Sequence, residues 1–303
     1  MSREQRVAIN AMMRQPQPEG LSSPQELRTG FAALMDRMIV PDALRTTDVT
    51  LGGRDALLVE PEGEPRPGTI LYLHGGAFVF GSPRTALALT GNLVAATGFR
   101  AFSPDYRLAP EHPFPAAIED CLSAYRELLE RGTDPATIAF AGDSAGGGLS
   151  VTTCLSARAA GLPLPAAIVT FSGAFDATRT GASMTTKAEA DPIFTRERLG
   201  HTGSMYLAGQ DPRQELLTPA TLADLTGFPP MLLQVGTDEL LLDDSTRLAD
   251  RARDAGVDVI LDVTADVPHV FQAFAGVLDE ADEALARAAF FLTQRVGPRT
   301  ADA

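Results

Sequence analysis

Apolar residues recur at three- and four-residue spacing in "REQRVAINAMM" and again in "PQELRTGFAALMDRMI". This predicts two helices within residues 1–45, separated by "PQPEG". "DVTLGG" and "DALLVEPEG" then read as two short strands joined by a glycine turn, and "PGTILYLHGG" as a buried strand ending in glycines. From there strand and helix patterns alternate. A helical stretch at about 83–97 is followed by strand "FRAFSPDY", helix "PAAIEDCLSAYRELLERG", strand "TIAFAG", helix "AGGGLSVTTCLSARAAG" and strand "AAIVTFSG". No strand pattern covers about 176–228. The alternation then resumes with "PMLLQVG", "LLLDDSTRLADRARDAG", "VDVILDV" and a last helix at about 270–295. Eight strands in this order predict an α/β architecture: a mostly parallel sheet with helices on both faces and an antiparallel leading edge. Residues 46–303 form the catalytic domain in this reading. Residues 1–45 and the insertion at about 176–228 are candidates for a helical cap over the carboxyl edge of the sheet, where open α/β sheets bind ligands.

Composition narrows the class. The 303 residues are 45% hydrophobic and 21% charged, as for a soluble globular chain with a sizeable core. A net charge of -14 lacks the basic footprint of a nucleic-acid or anionic-membrane partner. No apolar run approaches the roughly 20 residues that span a bilayer, and the first twenty residues carry no apolar secretory core. Cys121 and Cys154 form neither a disulfide framework nor a ligand pattern, so both read as core residues of a reduced, cytoplasmic protein.

The chemistry centres on Gly142-Asp143-Ser144-Ala145-Gly146, a G-x-S-x-G pattern between an apolar strand and a helix. The glycines remove side chains that a tight strand-to-helix turn would crush, leaving the serine hydroxyl at the sheet edge beside free helix N–H groups. Alone, the pentapeptide is equally compatible with a glycine turn and Ser144 as N-cap. A dinucleotide fingerprint has a different spacing. A nucleophilic serine needs a base and an acid that orients it. Of the four histidines, His269 in "TADVPHVFQAF" follows the last strand, on the same edge as Ser144. Asp238 in "LLQVGTDELLLDD" follows the penultimate strand and is the expected acid. Glu239 is the nearest substitute, pointing the other way, and Asp243 and Asp244 read as helix-start charges. Oxyanion donors are expected from the N–H of Ala145 and from the loop "LHGGAFVFG", through Gly75 and Gly76. His74 reads as a residue pinning that loop, since no second metal ligand lies nearby.

Together "LHGGAF", "DYRLAPEHPFPAA", "GDSAGGGL", "GTDELLLDD" and "VPHVFQAF" resemble the hormone-sensitive-lipase-like branch of the α/β-hydrolases, whose bacterial members are cap-bearing carboxylesterases. The resemblance spans about residues 55–295. It implies the α/β-hydrolase fold, the triad Ser144, Asp238 and His269, and an oxyanion hole from Gly75, Gly76 and Ala145. It further implies that Asp143 braces the oxyanion loop, that "DYRLAPEHPFPAA" is scaffolding, and that dimers form through the last strand and helix. Ala77 stands where the family commonly has a third glycine, and Val270-Phe271 where Gly-Phe commonly follows the histidine. The latter is closer to members that hydrolyse lactones and small esters. The expected substrate is a small ester or lactone, with metabolite deacetylation and amide hydrolysis served by the same triad, and neither metal nor organic cofactor is called for. A hydrolase-fold binding protein would typically lack the histidine. Phe31, Met35 and Met38 in the first cap segment, and Met205, Tyr206 and Leu207 in the second, are the expected pocket lining.

Overall fold

The computed structural model describes residues 2–14 and 21–297; the separator 16–20 lies outside the described residues. The chain opens with helices α1 (Ser2–Met13) and α2 (Pro24–Met35). Ser23 and Glu26 close a capping box at the start of α2, with Pro24 in its first turn, which satisfies N–H groups that a helix start leaves open. Strands β1 (Leu44–Leu51), β2 (Arg54–Pro61) and β3 (Thr69–Leu73) follow, then α3 (Leu87–Thr97), β4 (Arg100–Pro104), α4 (Ala116–Glu130), β5 (Ile138–Asp143), α5 (Ala145–Ala159) and β6 (Ala167–Phe171). The stretch expected to lack strands holds α6 (Ser183–Thr186), α7 (Arg196–Leu207) and α8 (Pro219–Leu222). The chain closes with β7 (Met231–Gly236), α9 (Leu242–Asp254), β8 (Val259–Thr264) and α10 (Asp279–Arg295).

The eight strands form one sheet in the order β1-β2-β4-β3-β5-β6-β7-β8. The β1–β2 and β2–β4 pairs are antiparallel and the rest are parallel, as the alternation predicts. Strands β3, β5, β6 and β7 are buried along their full length, because helices cover both faces. On one face α4, α5 and α9 pack a core that includes Phe140, Leu149 and Leu248, together with both free cysteines. On the other, α3 and α10 pack Leu93, Leu285 and Leu292 against Tyr72 and Val169. The last helix starts later than its apolar pattern suggests. Gly276 takes a φ of 79° after the single turn Phe271–Phe274, so α10 begins only at Asp279.

The order of the sheet puts the ends of β3, β5, β7 and β8 along one edge. All the residues singled out for chemistry follow those ends.

Candidate active site

Ser144 occupies the single residue between β5 and α5, at φ 52° and ψ −116°. Such a backbone costs on the order of 1–3 kcal/mol and persists only when its surroundings impose it. They do: a Cβ on Gly142 would overlap the Gly146 carbonyl, and one on Gly146 would overlap that of Leu73. The Ser144 N–H is donated to Phe171 O at 2.8 Å, and its carbonyl accepts from Ala174 N at 2.9 Å. Its side chain makes no capping bond to the helix, so the N-cap alternative is not realised. The hydroxyl instead lies 2.9 Å from His269 Nε2.

The acid on the other side of the imidazole is Glu239, which corrects the expectation of Asp238. Glu239 Oε2 lies 2.7 Å from His269 Nδ1, while Oε1 accepts from Ser172 Oγ at 2.7 Å and from Gly236 N at 2.6 Å. Asp238 is half-buried, takes a bond from Thr237 Oγ1 at 3.3 Å, and has Asp266, Lys187 and Arg14 as its charged neighbours. The chain bends beyond Gly236, so consecutive side chains diverge: Asp238 is carried outward, and Glu239 folds its carboxylate back over the strand end. A Cβ on Gly236 would overlap the Val267 carbonyl and crowd Glu239 Oε1, so glycine is needed there.

His269 is buried, which by itself favours the neutral ring. The Glu239 carboxylate, with Asp191 and Asp143 further off, outweighs that and holds its pKa above the ordinary histidine value. The edge of the ring meets Phe194, with centroids 4.7 Å apart.

The glycine loop needs a second correction. The Gly75 N–H is donated to Asp143 Oδ1 at 3.0 Å and is not free for a ligand. Asp143 also accepts from the Tyr72 hydroxyl at 2.9 Å, and burial pushes its pKa up to about 6. Gly75 must be glycine because this carboxylate fills the place of its Cβ. The next two N–H groups, of Gly76 and Ala77, have no acceptor among the described residues; neither has Ala145, the first residue of α5. Ala77 and Phe78 both take positive φ, 52° and 63°, which turns this segment toward Ser144. His74 braces the loop: Nδ1 bonds Gly75 O at 2.7 Å, and its ring stacks on Tyr106 at 4.0 Å. Burial lowers its pKa to about 4, so it is neutral. Tyr106, from the "DYRLAPEHPFPAA" segment, donates its hydroxyl to His74 O at 2.6 Å. Among the described residues no cluster of three His, Cys, Asp or Glu is placed to hold a metal ion.

Two cavities, of about 70 and 150 Å³, open on either side of Ser144 and share Ser144, Ala77 and Phe194. The first runs along α5 past Ala145, Gly148 and Thr152, under Tyr206 and Leu207 of α7. The second is walled by Phe31 and Met35 of α2, Gly76, His269 and Phe274. Of the residues expected to line a pocket, Phe31, Met35, Tyr206 and Leu207 do so. Met38 packs instead against the α3–α10 core, and Met205 against a cluster around Val79 and Leu217. Met38 lies in the turn beyond the end of α2, and Met205 on a face of α7 that packs away from the cleft. Phe194 is a site residue that sequence reasoning missed; Glu239 stood there only as the substitute for Asp238, and Ala77 only as the residue in place of a third glycine.

A family profile described as alpha/beta hydrolase fold matches residues 70–273. The chain is 42% identical, over 82% of its length and 83% of the relative's, to an acetyl-hydrolase of Streptomyces hygroscopicus. It is 36% identical to an esterase of Acinetobacter venetianus over 74% of each chain. Among solved structures, an esterase from the bacterial hormone-sensitive lipase family superimposes with a TM-score of 0.93 at 41% identity, covering 97% of this chain and 99% of that one. The chain therefore belongs to the α/β-hydrolase fold family, in its bacterial hormone-sensitive-lipase branch, and it is a carboxylic-ester hydrolase. No described helix is long and apolar enough to cross a membrane.

Proposed function

We propose that ester hydrolysis proceeds through an acyl-enzyme on Ser144, with His269 as general base and acid and Glu239 as its orienting partner. The observation that carries this reading is the unbroken line from Ser144 Oγ through both imidazole nitrogens to Glu239 Oε2. His269 takes the Ser144 proton as Oγ attacks the ester carbonyl, and Glu239 stabilises the resulting imidazolium. The N–H groups of Gly76, Ala77 and Ala145 receive the oxyanion, each worth on the order of 3 kcal/mol. His269 then protonates the departing alcohol, so the alcohol leaves through the cavity that His269 lines and the acyl group occupies the cavity along α5. Water repeats the sequence and releases the acid. Helices α1 and α2 and the segment 176–228 act as the cap that closes both cavities, which suits small to medium acyl groups. Deacetylation of a small metabolite is the second reading, favoured by the similarity to an acetyl-hydrolase.

Hydrolysis of p-nitrophenyl acetate and butyrate by the wild type and by Ser144→Ala tests the proposal. The variant should lose at least about 10⁴-fold in kcat. Equal rates would sink it.

A further inference from the structure

We propose that the cavity along α5 is built for an acyl chain that ends in a carboxylate, received by the guanidinium of Arg179. The inference rests on the acyl-enzyme reading above and names its substrate class: half-esters of dicarboxylic acids.

Arg179 lines the same cavity as Ser144, in a wall that is otherwise mainly apolar, with Leu199, Leu216 and Leu241 among its members. A guanidinium carries five N–H donors. Among the described residues Arg179 uses one hydrogen bond, Nη2 to Leu199 O at 3.3 Å, and it has no carboxylate at ion-pair distance. The charged groups that act on it from beyond ion-pair distance are Asp244 and Asp176, which favour its charge, and Arg196, which opposes it. Asp176 binds Arg247 at 3.0 Å and accepts Thr178 N at 2.8 Å and Thr180 N at 3.2 Å. Asp244 Oδ2 accepts from Phe175 N at 2.7 Å and Asp176 N at 2.8 Å, and burial pushes its pKa up to about 7. A part-buried guanidinium with most of its donors unused and no carboxylate in direct contact leaves a place that an incoming anion would fill.

Two further observations concern the space and the backbone. Arg179 is held at a φ of 52°, a conformation that a long side chain adopts only under constraint. Opposite it on α7 stands Gly203: a Cβ there would meet only Arg179 Nη2, at 3.4 Å, so a side chain at 203 would reach the guanidinium. A planar carboxylate matches the guanidinium fork in a way that an ammonium cannot copy. The floor of the cavity runs from Ser144 to Thr152 on α5. At 1.5 Å per residue that is about 12 Å, which bounds the acyl chain to medium length.

The test compares kcat/KM of the full chain for p-nitrophenyl half-esters of succinate, glutarate, adipate and suberate with that for unbranched neutral esters of matched length. Wild type should favour the half-ester at one or two lengths. In Arg179→Met the half-ester to neutral-ester ratio should drop about 10- to 100-fold, with Arg179→Lys between. Gly203→Glu, which sets a carboxylate beside the guanidinium, should remove the preference by occupying the site internally; it keeps the test open if Arg179→Met does not fold. A wild type that hydrolyses the neutral series but prefers no half-ester overturns the proposal, as does a preference that survives both substitutions. A wild type that hydrolyses neither series faster than Ser144→Ala overturns the acyl-enzyme reading beneath it, so the two failures are distinguishable.

Discussion

The two cavities that meet at Ser144 are both mainly apolar, but the α2 side is about twice as roomy and the two place their charged groups differently. The α2 side is aromatic and thioether-rich, with Phe31 against Phe80 at 4.9 Å and Met35 beside them. The α5 side carries Arg179 and Asp176 in its wall. Room, charge and the position of His269, which lies in the wall of the α2 side alone, all distinguish the two sides. In the proposed cycle, orientation of the ester is set by the side on which a proton can be delivered.

Substitutions at the shared centre should act on both sides alike. Glu239→Gln should lower kcat on the order of 10³- to 10⁴-fold for every ester, whichever side its bulk fills. Asp238→Asn should stay within about threefold under the same assay, because surface-facing charges away from special features contribute little. A large loss at Asp238 with a small one at Glu239 would reverse the assignment of the acid. The pH profile should also be common to both sides. The base must be neutral to accept a proton, and Glu239 holds the His269 pKa above its ordinary value. Below that pKa, kcat/KM should fall about tenfold per pH unit, with the limb placed to the alkaline side of an ordinary histidine. In Glu239→Gln the limb should move to lower pH, since burial is then unopposed.

Two smaller effects should separate the sides. Gly203→Leu, which fills the α5 side, should reduce kcat/KM about tenfold for medium acyl chains and leave acetates nearly unchanged. Phe31→Ala, which strips apolar surface from the other side, should raise KM about threefold for bulky alcohols, with no change in acyl-length preference. A chain-length effect from Phe31→Ala would exchange the roles of the two cavities.

Much of this frame is legible in the sequence because it depends on local spacing. Alternating patterns predict the eight strands, and their order carries Ser144 and His269 to one edge. The glycines at 142 and 146 are needed because a Cβ at either would meet backbone, a fact the G-x-S-x-G spacing already encodes. What stays hidden depends on side-chain direction after an element ends. Asp238 and Glu239 are adjacent carboxylates beyond the same strand, and only the bend after Gly236 decides which faces the imidazole. Gly75 and Gly76 look interchangeable as donors, yet the first N–H is taken by Asp143, a residue 68 positions away. Met205 has the polarity of a pocket residue, but the rotation of α7 over the sheet cannot be read from its own apolar positions; Met38 falls in the turn after α2 has ended at Met35.

The Asp143–Gly75 bond also bears on how this site behaves as the molecule fluctuates. Asp143 is covalently joined to Ser144, and through its carboxylate it grips the loop that presents Gly76 and Ala77. The nucleophile and two of the N–H groups facing it are therefore tied by a path of a few bonds within the sheet, independent of the helices above. In the proposed cycle, a shift of those helices on ligand entry or release would leave the spacing between Ser144 Oγ and the Gly76 and Ala77 N–H groups in register.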